Sequence, residues 1–353
     1  MRTALSNPVG PAITEGKGDV MAITTRAADA ADFEGLADLL AAEAQSRAAR
    51  APGLWPLAAD PRDAVLAALH RAYSAAGAQP RQFWRAAEED GQVLGASHAL
   101  LLPVPPIYAG AFGPPGLILQ DCALHPDAPT DTGRILLEAA EAELVAAGAR
   151  ILLTASGAGE AWQDLHAAQG YAPLTLYLAK PDLGAEAVRP PVRSAAAGDI
   201  GAIVALSAEH RRILAQLHEP FWRPHPEADA RFGAWMTRSL GLEDRDMFVA
   251  GAAAVAGYAI SQPITALHMP AGHSAAGVGI IDDFYHTALA DPEALGPGRE
   301  EAIRLLQTAE AARQARGDGA VFVVCPAAWH SKIDLLERAG YGTALIWSIK
   351  ILP

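Results

Sequence analysis

The chain reads as an α/β protein made of two tandem copies of one unit, each a mixed sheet flanked by helices. A long-period internal repeat predicts this, together with the alternation of helical and strand patterns inside each copy. A length of 353 residues with 51% apolar content is enough for two separate cores.

The repeat comes first because it sets the architecture. Arg26, Asp32, Phe33 and Leu36 recur at the same spacing as Arg193, Asp199, Ile200 and Ile203. Trp55 answers Trp222, and Gly95 answers Gly257. Asp121 with His125 answers Asp282 with His286. Near the ends, Gly170-Tyr171 precedes Lys180 by the spacing that separates Gly340-Tyr341 from Lys350. The expected division is a loose tail over 1–20, a first copy over 21–180, a linker rich in proline over 181–191 and a second copy over 192–353.

In the first copy a short strand from Ile23 leads into a helix capped by Asp29 or Asp32, with Phe33, Leu36, Leu39 and Leu40 in helical spacing. A second helix over about 63–74 carries the stripe Val65, Leu66 and Leu69. Segments 81–87 and 93–102 read as a hairpin across a charged turn with glycine. Pro103–Pro115 is expected as a surface loop. A strand over 117–124, a helix over about 135–147 ended by Gly148, a strand over 151–154, a helix over 161–168 and a closing strand over 171–179 complete the copy. The second copy repeats this order, with helices from Asp199 and over about 227–240, then strands over 247–252, 255–263, 278–285, 321–325 and 343–352.

Composition narrows the function classes. A net charge of -13 without a basic run argues against nucleic acid, which is bound chiefly through Lys and Arg on phosphate. The first residues have no apolar core of a signal peptide, and no apolar run is long enough to span a bilayer, so a cytoplasmic protein without a membrane partner is expected. Two cysteines, Cys122 and Cys325, fall in strands of different copies and read as small core residues, not as a disulfide or metal cluster. No metal site is expected.

The chemistry concentrates in 278–306. There an apolar strand ends in Asp282 and Asp283, and Gly296-Pro297-Gly298-Arg299 opens a long amphipathic helix. First-turn N–H groups lack partners within the helix, and glycines let an anion approach them, with the helix dipole favouring its charge. Ordinary turn chemistry explains the same residues equally well. Strict alternation places Asp282 and Asp283 on opposite faces, so one of them points into a cleft. Either could take a proton from an amine, or simply cap a loop or meet an arginine.

The order of strand, glycine loop, long helix, strand, short helix, Gly-Tyr and final strand resembles the GNAT acyltransferase superfamily over nearly all of the chain, as two domains in tandem. The resemblance implies mostly antiparallel sheets and transfer of an acyl group from acetyl-CoA or another acyl-CoA to an amine. The acceptor is expected to be a small molecule or a peptide, and the protein a monomer or homodimer. In the family an [RQ]-x-x-G-x-[GA] loop cradles the CoA pyrophosphate. Glu293–Gly298 keeps both glycines and loses the basic residue, with Arg299 just beyond. The corresponding loop 128–133 keeps only Gly133, followed by Arg134, and puts Asp131 where the first glycine belongs. A carboxylate beside the expected phosphate weakens binding there, so the second copy is expected to carry the cofactor. The resemblance further implies that backbone groups after the core strand pair with the pantetheine arm, at Phe284 and Tyr285 in the second copy and at Leu124, in Leu124-His125-Pro126-Asp127, in the first.

The family's tyrosine acid, four residues before Gly-Phe or Gly-Tyr, is replaced by His166 in the first copy and by Leu336 in the second. His166 reads either as a proton donor to a leaving thiolate or as a surface histidine on its helix. His286 joins Asp282 and Asp283 as a candidate for the proton transfer, with Tyr285 and His330 as weaker ones. Trp55, His218, Phe221, Trp222, His225 and Trp235 either line the acceptor pocket or pack as core. An acidic, aromatic cleft suits a cationic amine such as a polyamine, an aminoglycoside-like molecule or a peptide lysine.

Overall fold

The computed structural model describes residues 23–75, 80–184 and 190–352. The expected tail over 1–20 and the middle of the expected linker lie outside the described residues. In the first copy β1 (Thr24–Ala27) leads to α1 (Phe33–Arg50) and α2 (Pro61–Ser74), then to the hairpin β2 (Gln82–Glu89) and β3 (Gln92–Leu101). The core strand is broken into β4 (Gly116–Ile118) and β5 (Ala123–Leu124), followed by α3 (Thr132–Ala146), β6 (Ile151–Gly157), α4 (Ala161–Ala168) and β7 (Ala172–Pro181).

The second copy repeats the order, with one added helical turn and an unbroken core strand. It runs β8 (Arg193–Ser194), α5 (Ile200–Leu217), α6 (Glu219–Trp222), α7 (Ala228–Ser239), β9 (Asp246–Ala250) and β10 (Gly257–Pro263). Then come β11 (Val278–His286), α8 (Glu300–Ala315), β12 (Ala320–Pro326), α9 (His330–Arg338) and β13 (Gly342–Ile351).

The copies are joined through one continuous sheet in which they exchange their last strands. The order is β1-β2-β3-β4-β6-β13-β7-β12-β11-β10-β9-β8, with β5 on β3. The final strand of the second copy, β13, therefore pairs with β6 of the first, and β7 of the first pairs with β12 of the second. The two exchanged strands pair with each other in the middle. Most pairings are antiparallel; β4 with β6 and β11 with β12 are parallel, the mixed, mostly antiparallel pattern expected.

Several repeated landmarks acquire a structural cause. Arg26 grips Asp32 with two bonds of 2.7 Å, and Arg193 grips Asp199 in the same way. These forks fasten the first strand of each copy to the start of its long helix. Gly95 and Gly257 sit where a neighbouring element packs closely on the strand: a Cβ at Gly95 would lie 2.6 Å from Leu136 on α3, and one at Gly257 2.5 Å from His286 on β11. The repeated Gly-Tyr and Lys serve the exchange. Lys180 reaches Glu310 on α8 of the other copy at 2.9 Å and lies over the Tyr341 ring, while Lys350 reaches Glu141 on α3 at 2.8 Å and lies over Tyr171.

Both cysteines are buried and free. Among the described residues no helix is long and apolar enough to cross a membrane, and no group of three or more His, Cys, Asp or Glu is placed to hold a metal ion.

Candidate functional site

A cavity of about 700 Å³ opens between the two copies, midway along β11 where it parts from β12 beyond Ile281. Its floor is the carboxylate pair. Strict alternation along β11 fails because of a bulge: Ile260 pairs with Asp283 and Ser261 with Ile281, so Asp282 is the extra residue. Both carboxylates therefore face the cavity, which corrects the expectation of one inward and one outward.

The two differ in their partners. Asp283 accepts from the Tyr258 hydroxyl at 2.9 Å and lies 3.1 Å from His210 Nδ1. His210 is held in turn by the Tyr285 ring stacked on it and by Trp329 at its edge. Burial lowers the His210 pKa, with the Asp283 bond opposing, and leaves a buried carboxylate–imidazole dyad on the cavity wall. Among the described residues Asp282 has only the Gln262 amide, at 3.3 Å. Its side chain is exposed to the cavity while protein surrounds it, and burial, then the neighbouring Asp283, pushes its carboxyl up to about 6.

The walls are apolar and aromatic. From the second copy come Phe221, Trp222, Phe232 and Trp235. The roof comes from the first copy, and it is the 103–115 segment expected as a surface loop. Tyr108 bridges Pro224, Ala109 N–H donates to Arg223 O at 2.8 Å, and Arg231 donates to Pro106 O at 3.0 Å. Four prolines in this loop line the cavity, and their fixed φ stiffens the cover. Of the aromatic and histidine candidates, Phe221, Trp222 and Trp235 line the cavity. Trp55 packs in the other copy against His273 and Phe322, and His218 and His225 are not on the wall.

The other expected residues are distributed as follows. His286 is buried below the sheet, with Nδ1 accepting from Ala288 N–H at 3.1 Å, away from the cavity. His166 is neither a surface histidine nor near the carboxylates: it is buried between Trp162 and Tyr171 without a hydrogen-bond partner, and burial pushes it down to about 4. Phe284 and Tyr285 are buried. His330 meets Glu293 at 3.0 Å on the surface.

The second glycine loop faces open space. Gly296 and Gly298 have φ of 131° and 92°, conformations suited to glycine, and no atom lies within 4 Å of a Cβ added at either. Arg299 turns inward, to Ser331 O at 3.0 Å and Asp334 at 3.2 Å, so it braces α9 against the loop. In the first copy Gly133 lies under Leu124 and Leu165, whose methyls stand 3.2 Å from an added Cβ, and Arg134 is taken by Glu138 and Asp131. Gly133 therefore has no such open space beside it.

One side chain competes with the arm of a CoA thioester for the backbone of β11. Lys332, on the buried face of α9, donates from Nζ to Phe284 O at 2.8 Å, taking a carbonyl of the strand segment expected to pair with pantetheine. Trp329 is fully buried beside it and donates to Leu289 O at 2.9 Å. Burial lowers the Lys332 pKa.

His210, Tyr258 and Lys332 were not singled out by sequence. The available signal was helical: Ser207, His210, Arg211 and Leu214 form one buried stripe on α5, and Lys332 lies on a buried stripe of α9. A charged or titratable residue inside an apolar stripe marks a position facing something polar.

Comparison with solved structures establishes the fold. The chain is similar to a GCN5-related N-acetyltransferase from Sphaerobacter thermophilus, at 18% identity and a TM-score of 0.54, covering 93% of this chain and 95% of that one. A tandem GNAT protein from the clavulanic acid biosynthesis pathway matches at 15% identity and TM-score 0.48, covering 94% and 98%. A putative acetyltransferase from Pyrococcus horikoshii matches at 8% and 0.46, covering 94% and 90%. These last two likenesses are too slight to add to the first. No family model matches the chain, and no curated protein matches it. The chain has the GNAT fold, present as two copies.

Proposed function

We propose that the protein is an acyl-CoA-dependent N-acyltransferase whose second copy, over 192–353, holds the acceptor amine in the cavity between the copies. The observation that carries this reading is the cavity floor: midway along the core strand of an acyltransferase fold, where it parts from its parallel neighbour, stand one carboxylate without a cationic partner among the described residues, Asp282, and one tied to a histidine, Asp283 with His210. The chemistry a CoA thioester supplies is the activated acyl carbonyl. The residues act on the amine. Asp282, with a carboxyl near 6, is mostly ionised at pH 7 and attracts an ammonium, yet is basic enough to take its proton. The Asp283–His210 dyad offers a second proton acceptor, with Asp283 fixing the imidazole orientation.

Lys332 favours a second reading, a binding module without transfer chemistry, because its bond to Phe284 O occupies the strand segment a thioester arm needs. Calorimetric titration of acetyl-CoA and a longer acyl-CoA into wild type, Gly298→Glu and Gly133→Glu separates the readings. The enzyme reading expects binding by wild type and Gly133→Glu and its loss in Gly298→Glu. Loss only in Gly133→Glu would move the cofactor to the first copy. No CoA binding by wild type would leave the second reading.

A further inference from the structure

We infer that the occupant of the cavity is a lipophilic amine with a single positive charge, not a polyamine or aminoglycoside-like molecule. The inference deepens the acceptor assignment above and rests on that reading only for the transfer step, not for binding.

Charge sets the number of ammonium groups. Of the two carboxylates on the wall, Asp283 is already engaged by Tyr258 and His210, so Asp282 is the one with room for a cation. Among the described residues the other basic side chains lining the space are Arg211, Arg231, Arg238 and Lys332, and no further carboxylate lines it. Arg211 is matched by Asp229 and Arg231 by Glu227 outside the cavity. A second ammonium on the ligand would be stripped of water beside these cations with no acceptor, which is costly. His268 adds no charge at pH 7, since burial holds it at about 4.

Lining sets the body of the ligand. Away from Asp282 the walls are Phe221, Trp222, Phe232 and Trp235 on one side and the proline-rich roof with Phe112 on the other. A sugar or polyamine would leave its hydroxyls or amines unpaired against these faces, whereas an alkyl or aryl body buries apolar area on both sides. At about 700 Å³ the space holds such a body whole.

The test is calorimetric, in the absence of any acyl donor, with the full chain. The probes are 4-phenylbutylamine, its isosteres 4-phenylbutanol and 4-phenylbutyrate, and spermidine. The amine is expected to bind at least about tenfold more tightly than any of the others, roughly the effect of one well-placed charge-assisted hydrogen bond. Asp282→Asn is expected to remove the amine's advantage over the alcohol, and Trp235→Ala to weaken both alike. Tighter binding of spermidine, the alcohol or the carboxylate by wild type overturns the inference without recourse to any variant. Because no thioester is present, failure of acyl transfer leaves this result untouched, and failure here leaves CoA binding to be judged separately.

Discussion

The two copies solve the same geometric problem in opposite ways. Each sends the loop before its core strand across to the other copy's cleft. Residues 103–115 roof the second cleft and leave a cavity, whereas residues 271–274 of the loop 264–277 fill the first. There Ala271 N–H donates to Asp121 at 3.0 Å, Gly272 O accepts from Ala58 N–H at 3.1 Å, and Gly272 lies so close to Ala44 that a Cβ would come within 2.7 Å of it. Behind the plug Glu160 accepts from Arg47 at 2.6 Å and from Arg50 at 2.9 Å, an ion cluster with no free partner for a ligand. The contrast between Asp121 and Asp282 teaches that a repeated carboxylate takes its role from the loop that covers it. Asp121 fastens the two copies together, and Asp282 faces open space.

The comparison can be broken first through the exchanged strands. Deleting 342–353 removes β13 from between β6 and β7, so both copies are expected to unfold together. A far-UV circular dichroism spectrum that retains about half its signal would show the first copy folding alone. Next, Glu160→Ala strands Arg47 in the filled cleft, and breaking such a buried pair is expected to cost about 3–5 kcal/mol in urea denaturation. A loss below about 1 kcal/mol would mean the cluster is not what closes that cleft.

A smaller effect of opposite sign is expected at Asp282. Its carboxyl sits near 6 in the folded chain against 3.8 in the unfolded one, so the protonated form favours folding, and that contribution is lost as pH rises through about 6. Asp282→Asn is therefore expected to raise the melting temperature at pH 7.5 relative to wild type, with little difference at pH 4. An unchanged or lower melting temperature at pH 7.5 would show that Asp282 is not held against its preference. Affinity for 4-phenylbutylamine is expected to fall as pH drops below about 6, as a proton replaces the ammonium at this carboxylate.

The fold was legible because the repeat, the glycine positions and the helical stripes are local patterns, and each has a cause at its own residues. The strand exchange was not, because β7 and β13 present the same Gly-Tyr and Lys landmarks whether they return to their own sheet or cross to the other. The site was half legible. Asp282 and Asp283 stood out at the end of an apolar strand, but their common orientation depends on a bulge that the pattern VGIIDDFYH does not announce. His166 and His286 fitted a spacing and proved buried, since spacing alone does not report what packs above a helix or strand. The 103–115 loop was read as surface for its prolines and glycines, when those same residues form a stiff cover.

We propose that the second cleft does the chemistry and the first does not. This is tested most directly by thiol release from acetyl-CoA with 4-phenylbutylamine, comparing wild type, Asp282→Asn and Asp121→Asn. Asp282→Asn is expected to lose about 100-fold or more, the effect of removing a positioned base, while Asp121→Asn keeps its turnover. Turnover that survives Asp282→Asn and disappears in folded Asp121→Asn would contradict it.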